Sequence, residues 1–314
     1  MKSKPPTESR RSISQRLASA SGAAWRGPLY MVLSALFFSL TALFVKELKP
    51  RYDFFEIVFV RSLFGLVLVT FYIIQSNASF WGNRKGVLIA RGLFGFVGLM
   101  CYFFAVQNMA SLSDAIMLLH TNPIFVALLA PFILKEKASP VRYMLIAFAF
   151  IGALMIIKPS FELSSLYSLV GLCAGMAAAV AYVFIRKATL TESAATIMFY
   201  FPFISVILTL PLLVNKYTGD SAAMNFSTDY RDIGMLVAIG VLGTVAQLFL
   251  TVGFKLVPAS RATIYNYTAP VFAVCFELFL YSRVPGMLSV TGSVIIVVCA
   301  GVIAVMRERK STGT

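Results

Sequence analysis

Two short clusters hold most of the side chains in this chain that are suited to recognising a solute. The first, H-T-N-P, contains His120, Asn122 and Pro123; the second, Y-N-Y-T-A-P, contains Tyr265, Asn266, Tyr267 and Pro270. Imidazole, amide and phenol groups donate, accept and stack, which suits binding rather than bond-breaking. His120 is the only histidine, so acid–base chemistry has little apparatus beyond a group able to take up a proton near neutral pH. Two further aromatic candidates, Tyr102 and Tyr182, stand in neighbouring apolar stretches. Charged candidates are Arg61, Arg91 and Glu277, each inside an apolar run where an ionisable group is costly. Glu277 could bind a coupling proton, counter a basic ligand or pair with an arginine. Arg61 and Arg91 could reach the nearer membrane interface with their long side chains or point into the protein.

The two clusters are copies of one segment. Ser113, Ala115, Thr121, Pro123, Phe125 and Phe132 recur 147 positions later as Ser260, Ala262, Thr268, Pro270, Phe272 and Phe279. Both prolines fall at the centre of an apolar span, and an internal proline frees the carbonyl four residues earlier, here of Leu119 and Asn266. Lipid cannot satisfy a freed carbonyl, so such a kink faces protein or a watery cavity. Matching interruptions in two halves point to a carrier's substrate site.

Composition excludes a soluble enzyme core. Hydrophobic residues make up 59%, charged residues 13%, and the mean hydropathy is +0.84, so most of the chain requires a non-aqueous solvent. The net charge of +14 does not indicate nucleic acid, because the basic residues lie between apolar spans. H-E-x-x-H, G-x-S-x-G, Walker and C-x-x-C patterns are absent, and the four cysteines lie within apolar stretches, suggesting neither metal nor cofactor.

Residues 1–27 are polar and basic with no apolar core of a cleavable signal, and read as a disordered cytoplasmic tail. Ten apolar spans follow, at 28–46, 54–75, 86–107, 113–134, 141–158, 166–185, 194–214, 232–254, 260–281 and 286–306, each near the ~20 residues a membrane helix needs. The division is a first repeat over 28–158, a second over 166–306, and a short tail at 307–314. With the N-terminus inside, cytoplasmic segments hold 18 lysines and arginines against seven outside, which favours both termini in the cytoplasm of a cell inner membrane. Five helices per repeat is an odd number, so the second repeat enters from the opposite side. The expected fold is an all-α integral membrane protein of ten transmembrane helices in two inverted five-helix repeats. Gly92, Gly95 and Gly98, and Gly171 with Gly175, read as small packing faces.

The stretches R-G-L-F-G-F-V-G (91–98), A-V-Q-N-M-A-S-L-S-D-A (105–115), T-N-P-I-F-V-A-L-L-A-P-F-I-L-K-E (121–136) and Y-T-A-P-V-F-A-V (267–274) resemble the EamA family of the drug/metabolite transporter superfamily. The resemblance implies ten helices, two repeats and movement of a small organic solute across a lipid membrane. It departs from the family where a Gly-Glu-like pair often closes the second repeat's segment; here Tyr281, Ser282 and Arg283 stand. Amino-acid-like zwitterions lead as the expected solute, with a nucleotide-like or vitamin solute such as S-adenosylmethionine or riboflavin as the alternative. A channel, a non-transporting receptor and an intramembrane enzyme are the competing classes.

Overall fold

A computed structural model describes residues 7–48, 51–108, 118–135, 139–157, 166–218, 229–281 and 286–306. Among the described residues there is helix and no strand. The longer helices are α1 (Thr7–Leu48), α2 (Phe54–Ser76), α3 (Lys85–Asn108), α4 (Asn122–Leu134), α5 (Pro140–Ile157), α6 (Leu166–Ala188), α7 (Ala194–Thr218), α8 (Tyr230–Leu256), α9 (Thr268–Tyr281) and α10 (Met287–Val305). Six carry segments long and apolar enough to cross a membrane: Trp25–Val45 of α1, α2, Lys85–Ala105 of α3, α6, α7 and α8. Shorter apolar helices occupy Asn122–Leu134, Pro140–Met155 and Met287–Ile303.

Three elements differ from the sequence reading. The helix of α1 begins at Thr7, so residues 7–27, read as a disordered tail, are helical. Polarity reported the solvent of that stretch and not its backbone, and no proline interrupts it between Pro6 and Pro28. The span expected at 113–134 is broken: the backbone turns at His120 and Thr121 and α4 starts at Asn122. The span expected at 260–281 runs as a helical turn (Ala259–Ala262), a 3-10 helix (Thr263–Tyr267) and then α9. Pro123 and Pro270, expected as kinks inside continuous helices, therefore sit in the first turns of α4 and α9, where a missing N–H costs nothing. The connector at Pro159–Ser165 lies outside the described residues.

Packing has a regular pattern. Helix α1 lies against α8 and α9, and α6 lies correspondingly against α3 and α4. Helix α2 packs on α8 as α7 packs on α3, while α2 with α7 and α5 with α10 pair directly. Small residues permit the closest of these approaches. A methyl group at Gly92 would stand 2.9 Å from the Tyr200 carbonyl of α7, and one at Gly98 3.1 Å from the Ala178 nitrogen of α6. Equivalent positions also share their environments: Phe132 and Phe279 are 83% and 80% exposed, on the apolar outer surface that suits lipid.

Both ends of the α2–α7 pair are fastened. At one end Lys216 bonds Asp53 at 2.5 Å and Glu56 at 3.1 Å, the Tyr217 hydroxyl donates to Glu56, and Arg51 pairs with Asp232. At the other, buried Glu192 accepts from the Asn83 and Arg84 backbone N–H groups at 2.9 and 2.8 Å. The Tyr200 hydroxyl donates to the Trp81 carbonyl at 2.7 Å beside it.

Candidate functional site

The two helix breaks are built by the same hydrogen bond. Thr121 Oγ1 donates to the Leu118 carbonyl at 2.6 Å, and Thr268 Oγ1 donates to the Tyr265 carbonyl at 2.6 Å. Each threonine caps a carbonyl that the interrupted helix leaves without its usual partner. In the first half Asn122 goes further, donating Nδ2 to the Leu119 carbonyl at 2.8 Å. That is the carbonyl whose partner Pro123 removes, so Asn122 serves the break itself. Its Oδ1 remains buried with no hydrogen-bond partner. Ala269 holds the matching position in the second half and has no amide to offer.

Gly175 of α6 makes this break possible. A methyl group there would meet the Leu118 carbonyl at 2.5 Å and Thr121 Oγ1 at 2.4 Å, so only glycine lets α6 pass so near. This is the packing role expected for it.

The breaks bring His120 and Tyr267 together, with ring centroids 6.4 Å apart. Tyr267 is fully buried, packs 6.3 Å from the Phe150 ring of α5, and keeps a hydroxyl without a partner. Tyr265 is also buried, and Asn266 carries a buried amide nitrogen with no partner. A cluster of buried, unmatched polar atoms at two helix breaks is costly unless something else meets them.

A second cluster lies between α2, α7 and α8. A small cavity of about 20 Å³ is lined by Arg61, Ser62, Phe201, Gly243, Thr244 and Gln247, among others. Arg61 is 7% exposed and Arg91 2%, so neither extends to an interface as the snorkelling alternative required. Both guanidiniums sit against one ring: Arg61 Cζ lies 5.7 Å and Arg91 Cζ 4.8 Å from the Phe201 centroid. Arg61 also approaches Phe38 at 6.0 Å. Tyr182 of α6, expected as a binding candidate, lies within electrostatic range of both arginines and packs 5.4 Å from Phe254. Among the described residues neither arginine has an acidic partner, and Arg91 Nε, Ser62 Oγ and Gln247 Nε2 are buried without hydrogen bonds.

Other expected residues are not brought to these clusters. Tyr102 packs on its neighbour Phe103 at 5.6 Å and does not line the cavity. The side chains of Glu277 and Tyr281, and residue Asp114, lie outside the described residues. Phe201, Ser62 and Gln247 were missed by sequence reasoning. A glutamine in the middle of an apolar span was a usable signal; a phenylalanine among 28 was not. The described residues hold no group of three or more His, Cys, Asp or Glu side chains able to bind a metal.

Known proteins give this geometry a context. The family model for the EamA-like transporter family matches residues 25–158 and again 165–306. The pseudopaline exporter CntI of Pseudomonas aeruginosa is 34% identical over 287 residues, covering 90% of this chain and 97% of that protein. The S-adenosylmethionine uptake transporter of Rickettsia prowazekii is 25% identical over 289 residues, covering 91% and 94%. Solute carrier family 35 member G1 of Homo sapiens is 28% identical, covering 86% and 76%. A crystal structure 16% identical in sequence superposes with a TM-score of 0.73 over 91% of this chain and 96% of its own, which shows a shared fold. The chain therefore belongs to the EamA-like transporter family, as a multi-pass membrane transporter of a small metabolite and not an enzyme.

Proposed function

We propose that this transporter moves an amino-acid-like solute across the cell inner membrane by alternating access, binding it between two inverted five-helix repeats. The observation that carries this reading is the facing of His120 and Tyr267 across two equivalent helix breaks. Discontinuous helices whose broken ends meet at mid-membrane are where carriers of inverted-repeat build hold their solutes. The exchange of α1–α8 and α1–α9 contacts for α6–α3 and α6–α4 supports two related halves, with repeats at 28–158 and 166–306. An odd number of helices per half makes them inverted.

In this reading His120, Asn122, Tyr265, Asn266 and Tyr267 meet the solute, with Tyr182 and the arginines in the pathway. The two fastened ends of α2 and α7 release in turn, so the solute never faces an open pore. His120 or Glu277 takes up any coupling proton, and both termini face the cytoplasm. A nucleotide-like or vitamin solute is the second reading, favoured by the similarity to S-adenosylmethionine uptake transporters.

A thermal-shift screen of small metabolites on the purified protein, followed by uptake of the hits into reconstituted vesicles, tests this. Saturable uptake of an amino-acid-like compound is expected. Non-saturating flux would indicate a channel, and binding without flux a receptor.

A further inference from the structure

We propose that the cavity between α2, α7 and α8 selects solutes carrying two negative charges, with Arg61 contacting a carboxylate and Arg91 supplying the second countercharge. This rests on the reading of the protein as a metabolite carrier and narrows the solute class.

Two like charges share the Phe201 ring inside the protein. Each is nearly inaccessible to water, and neither has an acid to balance it among the described residues. Removing a single ionised group from water is expensive, and a second charge of the same sign nearby adds repulsion. Structural arginines in protein interiors are normally paired or hydrogen-bonded. Aromatic faces offset only a small part of the cost, on the order of 1–2 kcal/mol each. Among the described residues no acid supplies the balancing charge, which in this proposal arrives with the solute.

The surroundings fit a single carboxylate group. The cavity of about 20 Å³ has room for little more than a water-sized group, so it offers a contact point for one end of a solute and not an enclosure for all of it. Gly243 keeps it open beside the arginine, since a methyl group there would lie 2.7 Å from Arg61 Nε. Ser62 Oγ and Gln247 Nε2, both buried without partners, are donors of the type a carboxylate accepts from. A guanidinium holds a carboxylate through two parallel N–H bonds, so Arg61 suits direct contact. Arg91 does not line the cavity and acts through space from beside the same ring, 4.8 Å from its centroid, as a positioning charge. A simple zwitterion would bring an ammonium group against two guanidiniums; an acidic, amino-acid-like solute with an extra carboxylate would not.

The test measures binding of three probes to the purified full-length protein by calorimetry: glutarate, its monomethyl ester and inorganic phosphate. Wild type is expected to bind glutarate at least tenfold more tightly than the monoester, and phosphate weakly. Arg61→Gln should lose both carboxylates, whereas Arg61→Lys, which keeps the charge, should retain weakened glutarate binding. Arg91→Gln should bring the glutarate-to-monoester ratio close to one. Both glutamine variants should melt no lower than wild type without ligand, because each removes an unpaired buried charge; a lower melting point would assign the arginines a structural role and overturn the proposal. So would failure of wild type to bind glutarate, equal binding of phosphate, or a ratio unchanged in Arg91→Gln. Tyr267→Ala separates the two readings. Glutarate binding lost there but kept in the arginine variants overturns the dianion site alone. Binding lost in the arginine variants but kept in Tyr267→Ala upholds it and removes the break between α4 and α9 as the solute site.

Discussion

His120 and Tyr267 stand 147 positions apart in sequence, each three residues before a proline, and their rings face one another at 6.4 Å. The pairing arises because each proline restarts a helix instead of bending one. A restarted helix leaves its preceding turn free to project side chains inward, and two such turns meet. Burial of the Tyr267 hydroxyl without a partner marks that meeting point as polar and unfinished.

The threonine caps offer the simplest check on this construction. Thr121→Val and Thr268→Val each remove one hydroxyl that donates at 2.6 Å to a carbonyl of the break. Each should lower stability by about 1 kcal/mol, and the two effects should be similar in size. Thermal unfolding of the purified single variants measures this. A large effect in one half and none in the other would argue against equivalent breaks.

Gly175→Ala should be worse than either. Its new methyl group would collide with the Leu118 carbonyl and Thr121 Oγ1, and overpacking of this kind costs typically 1–3 kcal/mol. Gly234, where a methyl group would meet nothing within 4 Å, supplies the control: Gly234→Ala should melt like wild type or slightly higher. Equal melting of both variants would show that α6 does not press on the break.

Much of this was legible in sequence. The apolar runs gave α2, α6 and α7 their first residues, because length and composition suffice to mark a membrane span. The repeat gave the positions of both breaks, since proline cannot donate and its effect is local. What could not be read was how each break is finished. Nothing in T-N-P shows that the Asn122 amide nitrogen caps Leu119 and leaves only its oxygen for a solute. The arginines were visible, but their partner Phe201 was not, because apolar residues in a membrane protein face either lipid or core. Periodicity at α1 was equally silent: polar residues 7–27 form helix as readily as loop.

Orientation has a direct test. On a background lacking the four native cysteines, Ser139→Cys should resist membrane-impermeant labelling of intact cells, and Ser221→Cys should accept it. The 18-to-seven distribution of basic residues sets this expectation. The reverse labelling pattern would invert the molecule in the membrane.

Glu192 fastens one end of α7 to Asn83 and Arg84 through two charge-assisted bonds. Such bonds contribute about 1.5–3 kcal/mol each, so Glu192→Ala should weaken closure at that end. Uptake in vesicles should fall while equilibrium affinity for the solute changes by less than about threefold. Loss of affinity with normal uptake at saturation would place Glu192 in binding instead.

Affinity for the transported solute in Tyr267→Ala and His120→Ala tests the central claim most directly. Removing either ring should weaken binding by ~1–3 kcal/mol, or about five- to 150-fold, with melting near that of wild type. Phe279→Ala, on the exposed face of α9, should bind like wild type. Unchanged affinity in both site variants would contradict a binding site between the two breaks.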